Sequence, residues 1–138
     1  MATVSSQIIF DTSIFIDHLR TGCHEDRIDS VNGLIRNSSV VLAELWRGAT
    51  KPVEQAFLKD LEKNHPILTP TEKIWLESGQ LLARIRGDKG FSPEKLRDLH
   101  FDLLIALTVR TAGARLITSN RSDFELIKGY REFHLEVW

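Results

Sequence analysis

The chain has 138 residues, 42% of them hydrophobic and 27% charged, with a formal net charge of −1. This fits one folded domain with a sizeable core, and the near-neutral balance gives no global basic signal for nucleic acid, although a local patch can still steer RNA. The single cysteine, Cys23, excludes an internal disulfide and a cysteine-rich zinc site; no apolar run is long enough to span a membrane and residues 1–7 lack the regions of a secretory signal, so a cytoplasmic protein is expected.

In chain order, Ile8-Ile9-Phe10 reads as a short buried strand closed by Asp11. Thr12 or Ser13 then caps a helix through Arg20, which Gly22 ends. A weaker helix is predicted from Asp26 to Leu34. Ser38-Ser39 caps the next helix, which carries Glu44 and stops near Gly48. Pro52, at a permitted first-turn position, starts another through Leu61. Pro66-Ile67-Leu68-Thr69-Pro70 is a short strand between prolines. Thr71-Glu72 opens a long amphipathic helix through Ile85, and Gly87-Asp88-Lys89-Gly90 reads as a turn-rich loop. Pro93 to Arg97 leads into an apolar helix from about Leu99 to Thr111, closed by Gly113. A strand at Ala114 to Thr118, a short helix at Ser122 to Ile127 and a strand at Phe133 to Val137 complete the chain. Short apolar strands alternating with helices predict an α/β fold in one domain, residues 1–138, with a central parallel sheet covered on both faces. Ligands of such sheets gather beyond the carboxyl ends of the strands.

Four acids stand in or beside these apolar segments: Asp11, Glu44, Asp102 and Asp123. Carboxylates are rarely placed so unless something compensates them. A magnesium ion would do that, because hard divalent cations take oxygen ligands and need only a few carboxylates plus water. Each acid also has a plainer reading. Asp11 could cap the first helix. Glu44 could lie on a solvated helix face beside Arg47. Asp123 and Asn120 could be turn or capping residues. Asp102 has the poorest alternative, because its neighbours are apolar; Asp98, one turn earlier on the same face, is either an outer carboxylate or a solvated first-turn acid. Thr12, Ser13, Thr118 and Asn120 are candidate supporting residues, and Thr118 and Ser119 could hydrogen-bond an aspartate or a metal-bound water. His18, His24, His65, His100 and His134 show no metal-ligand spacing, and Cys23 has no evident base partner.

These residues carry a resemblance. Ile9-Phe10-Asp11-Thr12-Ser13, Val41-Leu42-Ala43-Glu44-Leu45-Trp46-Arg47-Gly48, Asp102-Leu103-Leu104-Ile105-Ala106 and Leu116-Ile117-Thr118-Ser119-Asn120-Arg121-Ser122-Asp123-Phe124 resemble, in order and over nearly the whole chain, the motifs of a PIN domain of VapC type. The resemblance implies a three-layer PIN-like fold and a Mg²⁺- or Mn²⁺-dependent endoribonuclease. It also implies a homodimer and a small antitoxin that blocks the enzyme. PIN domains also serve in RNA processing without an antitoxin, which is the alternative reading. The expected metal ligands are Asp11 and Asp102, with Glu44 and Asp123 binding directly or through water. Arg20, Arg47, Lys51 and Arg121 are candidate contacts to RNA phosphates, each equally readable as solvated surface charge. Apolar residues of the first helices, Ile14, Phe15, Ile16, Leu19 and Ile28, cannot all face one core and could offer a groove to a partner. The rival enzyme is an aspartate-nucleophile phosphatase or phosphotransferase using Asp11. A haloacid-dehalogenase-type enzyme of that kind needs a second aspartate two positions on, where this chain has Ser13.

Overall fold

A computed structural model describes residues 6–138. The chain runs β1 (Gln7–Phe10), α1 (Thr12–Thr21), α2 (Glu25–Ser30), β2 (Leu34–Ser38), α3 (Ser39–Gly48), α4 (Pro52–Asn64), β3 (Ile67–Leu68), α5 (Glu72–Lys89), α6 (Pro93–Ala112), β4 (Arg115–Thr118), α7 (Arg121–Lys128) and β5 (His134–Val137). The strands form one sheet in the order β3-β2-β1-β4-β5, and every neighbouring pair is parallel. This is the α/β, PIN-like three-layer fold expected from the sequence. Parallel strands need crossovers, and right-handed crossovers send helices to one face while the chain steps from β1 to β3 and to the other when it returns to β4 and β5.

The sheet reverses direction of growth between β1 and β4, which lie side by side with Ile8 opposite Arg115 and Phe10 opposite Ile117. That switch point opens a crevice at the carboxyl ends of the two strands. Ile8, Ile9, Phe10, Leu116 and Ile117 are buried there at 0–1% exposure. In α6 every residue from Leu103 to Val109 is buried, so this half of the helix is enclosed on all sides. Asp102 therefore stands where the helix emerges from the core. Gly113, left-handed with φ 65°, then turns the chain into β4.

Four expectations need correction. The second helix ends at Ser30, and Leu34 begins β2 instead of closing that helix. β2 itself was not foreseen, because Leu-Ile-Arg-Asn-Ser alternates poorly. It forms because β1 and β3 flank it, and because buried Asn37 donates from Nδ2 to the carbonyls of Leu61 (2.7 Å) and His65 (3.1 Å). The expected loop at 87–90 is the last turn of α5, which continues to Lys89 and stops at left-handed Gly90. The apolar helix begins not at Leu99 but at Pro93, with Ser92 as its cap, Oγ accepting from Lys95 N–H at 3.2 Å.

Candidate active site

Asp11 is the last residue before α1, and it caps that helix as its plainer reading proposed. Its side chain is 3% exposed. Oδ2 accepts from Ser13 Oγ at 2.7 Å, Thr118 Oγ1 at 2.8 Å and Ser13 N–H at 3.4 Å. Ser13 and Thr118 each have one hydroxyl proton. Both go to Asp11, so the 3.2 Å approach between these two oxygens is a contact and not a third bond. Ser13 Oγ in turn accepts from Ser119 N–H (3.1 Å), and Thr118 Oγ1 from Asn120 N–H (2.9 Å). The ends of β1 and β4 are thus stitched into one polar knot, and Oδ1 is left without either hydroxyl. Burial pushes the Asp11 carboxyl above its ordinary range, while the hydroxyl and amide donors pull it back.

Glu44 projects from α3 and accepts from Thr12 Oγ1 at 3.0 Å. Burial raises its pKa first; the bond from Thr12 opposes this, the charge of Asp11 adds to it, Arg47 opposes it and Asp98 adds a little. Arg47 makes no ion pair with Glu44 among the described residues; its guanidinium lies 5.7 Å from the centre of the Phe101 ring. Asp123, in the first turn of α7, is committed on both oxygens. Lys95 Nζ is 2.6 Å from Oδ1, and Asn120 Nδ2 donates to Oδ2 at 3.2 Å. Asn120 is the residue before α7 but does not cap it through its side chain.

Asp102 differs from the other three, because no described residue donates a hydrogen bond to it. Burial, followed by the like charges of Asp11, Asp123 and Glu44, pushes its pKa up to about 8, with only Lys95 opposing. All four predicted acids therefore act on one point in space. Asp98 is exposed and reaches the group only as a distant charge on Glu44, so Asp102 is the acid of that stretch that belongs to the cluster.

Of the candidate cations, Arg20 shares a groove with Glu44, and Arg47 acts electrostatically on the same carboxylate. Arg121 is exposed at the start of α7 and pairs with Glu125 at 3.4 Å. Lys51 is exposed before α4, its N–H held by Glu54 Oε1 at 3.0 Å, and no contact ties it to the acids. Two residues of this region were not singled out from the sequence. Lys95 could have been found from its spacing, since it lies seven residues before Asp102 on the same face of one helix. Asp17, which accepts from Ser119 Oγ at 3.0 Å and contacts His24 Nε2 at 3.3 Å, gives no such signal, because its partners are remote in sequence.

The donor set is oxygen throughout, and it includes one carboxylate with no compensating donor; this chemistry fits a hard divalent cation. Among the described residues no three acidic, histidine or cysteine side chains are already drawn together tightly enough to grip an ion. The reason is visible in the bonds above. Thr12 holds Glu44 through Oε1, and Lys95 with Asn120 holds Asp123 through both oxygens. The acid oxygens outside these side-chain bonds are Asp11 Oδ1, Glu44 Oε2 and both of Asp102.

The four acids gather near the switch point of an all-parallel α/β sheet. Residues 8–129 match the PIN domain family, and the chain belongs to it. Its fold is similar to that of a chain in the DNA-bound VapBC2 complex of Rickettsia felis, with 25% identity, 96% of this chain and 98% of that chain covered, and a TM-score of 0.70. It is similar also to a chain in DNA-bound VapBC of Salmonella typhimurium (21% identity, 99% of each chain, TM-score 0.69) and in VapBC-1 of nontypeable Haemophilus influenzae (22%, 96% and 98%, 0.69). The likeness to a VapC-type PIN domain drawn from the motifs accordingly stands. No curated protein matches the chain in sequence. No helix of the described residues is long and apolar enough to cross a membrane.

Proposed function

We propose that this chain is a Mg²⁺- or Mn²⁺-dependent endoribonuclease and the toxin of a toxin–antitoxin pair. The observation that carries the nuclease reading is Asp102, a carboxylate placed among three others with no donor of its own. Such an arrangement costs stability and is explained by a cation that the chain is built to receive. Asp11 and Asp102 would hold it, with Glu44 and Asp123 close by, directly or through water. When bound, the ion supplies a lowered pKa for a coordinated water and neutralises charge on a phosphodiester oxygen. The residues of the chain do the rest. The knot of Ser13 and Thr118 fixes Asp11 through Oδ2. Thr12 orients Glu44, whose raised pKa suits it to take up a proton at the edge of the site. Arg20 and Arg47, on the same side, offer charge to substrate phosphates, and Arg121 extends that charge past Asp123.

The partner reading rests on the structural relatives, which are VapBC complexes, and on one surface feature. A groove of about 160 Å³ between α1, α3 and α4 is walled by Ile16, Leu19, Leu45 and Leu58, with Arg20, Glu44 and Glu54 at its rim. Ile14 and Phe15 are buried and Ile28 packs on the core, so Ile16 and Leu19 are the first-helix residues that supply the expected apolar groove. It runs up to Glu44, so a helix or strand lying in it could carry a basic side chain to the acids. The homodimer has a candidate face on α5, where Trp75 and Leu76 are 49% and 64% exposed.

Purified protein is expected to cut single-stranded or loop RNA with Mg²⁺ or Mn²⁺ and to fall silent in excess chelator. The product of a short open reading frame adjacent to the gene, when co-expressed, should copurify and suppress cleavage. Cleavage that persists unchanged in chelator would sink the metal mechanism, and a neighbouring product that fails to bind would remove the toxin role while leaving the nuclease.

A further inference from the structure

Lys95 lies in the first turn of α6, two turns before Asp102 on the same helix face. Its backbone is pinned by the Ser92 cap at 3.2 Å, and its ammonium rests 5.9 Å from the centre of the Phe91 ring. From there Nζ reaches Asp123 Oδ1 at 2.6 Å, the shortest contact made by any of the four acids, while Asn120 takes Oδ2. Ammonium and carboxylate are 38% and 17% exposed, so the pair lies at the mouth of the cluster and not out on the surface.

Two-metal nuclease sites place their ions roughly 3.5–4 Å apart and share carboxylates between them. Of the four acids only Asp123 is engaged on both oxygens. Glu44 is tied to Thr12 through Oε1 alone, whereas Lys95 and Asn120 take the two ends of Asp123. A second ion drawing on Asp123 would have to displace the lysine and then stand beside its positive charge. We infer that the Lys95 ammonium occupies the place of a second divalent cation, so that the cluster takes a single ion and keeps Asp123 as a lysine-neutralised, positioned carboxylate. Lys95 is in this sense a positioning residue that sets the metal count. The inference rests on the metal-dependent reading above, and the test separates the two.

The full chain, stripped with chelator and dialysed, is titrated with Mn²⁺ alone and followed by calorimetry and by the electron paramagnetic resonance of free and bound ion. The parent should bind about one ion per chain; Lys95→Met should bind about two, with the dipolar broadening of neighbouring ions, and Lys95→Arg, which keeps the charge, about one. Thermal melts of the stripped variants confirm that they are folded. If the parent binds no Mn²⁺, the metal-dependent reading fails and this inference with it. If the parent already binds two ions, or folded Lys95→Met still binds one, the reading stands and the role of Lys95 is overturned. The parent titration alone can deliver the contrary result, so the test does not depend on the variant folding.

Discussion

The acid cluster has two unlike halves. On the strand side, Asp11 is as buried as a core residue yet is engaged at Oδ2 by two hydroxyls and a helix amide. On the helix side, Asp102 has no donor at all and faces three like charges. Both are aspartates of one cluster, but the first is held by the fold and the second is held against its own electrostatics. The difference shows two ways of carrying a carboxylate at one site: Asp11 is held by donors that belong to the fold, whereas Asp102 meets only burial and like charge.

The largest effect expected from that contrast is an opposite response of the two acids to removal. Asp102→Asn should abolish cleavage and yet stabilise the metal-free protein. In the unfolded chain an aspartate titrates near 3.8, and Asp102 in the folded protein near 8. Between those values the folded form holds a proton that the unfolded form has lost. The benefit of that proton is full below about 4 and is lost as pH rises through about 8, so the parent weakens over this window. Asn removes the dependence, and the gain at pH 8 should be on the order of a few kcal/mol, read from urea melts in chelator. Asp11→Ala should also abolish cleavage but lose about 1–3 kcal/mol, because the cap disappears and two buried hydroxyls lose their acceptor. Matching losses in both variants would erase the distinction between the halves.

A second measurement sharpens the same point. A cation must displace the Asp102 proton below pH 8, so Mn²⁺ binding at pH 6 to 7 should release close to one proton. Affinity should rise about tenfold per pH unit and flatten above about 8. Calorimetry in buffers of different ionisation enthalpy reads both; pH-independent affinity would show that Asp102 is not a ligand. The smallest effect is expected in the scaffold itself. Thr118→Val leaves every charge in place but removes one donor to Asp11 and the acceptor of Asn120 N–H. A loss of about 1–2 kcal/mol is expected, with a modest fall in cleavage; a neutral variant would mean that the knot does not hold Asp11.

The same contrast explains what could be read from the sequence. Asp11, Glu44, Asp102 and Asp123 were legible because each breaks an apolar stretch, and such breaks are local. Ser38 as a cap, Pro52 at a helix start and the strand ending at Thr118 were legible from equally local signals, whereas the cap expected at Thr12 or Ser13 is filled by Asp11 and that of Ser92 was not foreseen. β2 was not, since what makes Leu34–Ser38 a strand is its two neighbours and the buried amide of Asn37. The last turn of α5 was hidden by glycines that read as a loop, although a Cβ at Gly87 would meet nothing within 4 Å and the helix passes through undisturbed. Lys95 was hidden because a lysine in a polar first turn is ordinary until α7 brings Asp123 to its tip.

The strand order has a consequence for the life of the chain as it is made. β1, β2 and β3 are consecutive in the sequence and can pair as they emerge, but β4, the other neighbour of β1, is translated about a hundred residues after it. Loop closure over that span comes late in folding. Asp11 and Glu44 belong to the early wing, Asp102 and Asp123 to the late one. A chain that lacks β4 and α7 therefore carries half of the acids on a partly built sheet and has no crevice. The crevice is thus a late product of folding: until β4 pairs with β1, the two pairs of acids stand on separate pieces of chain.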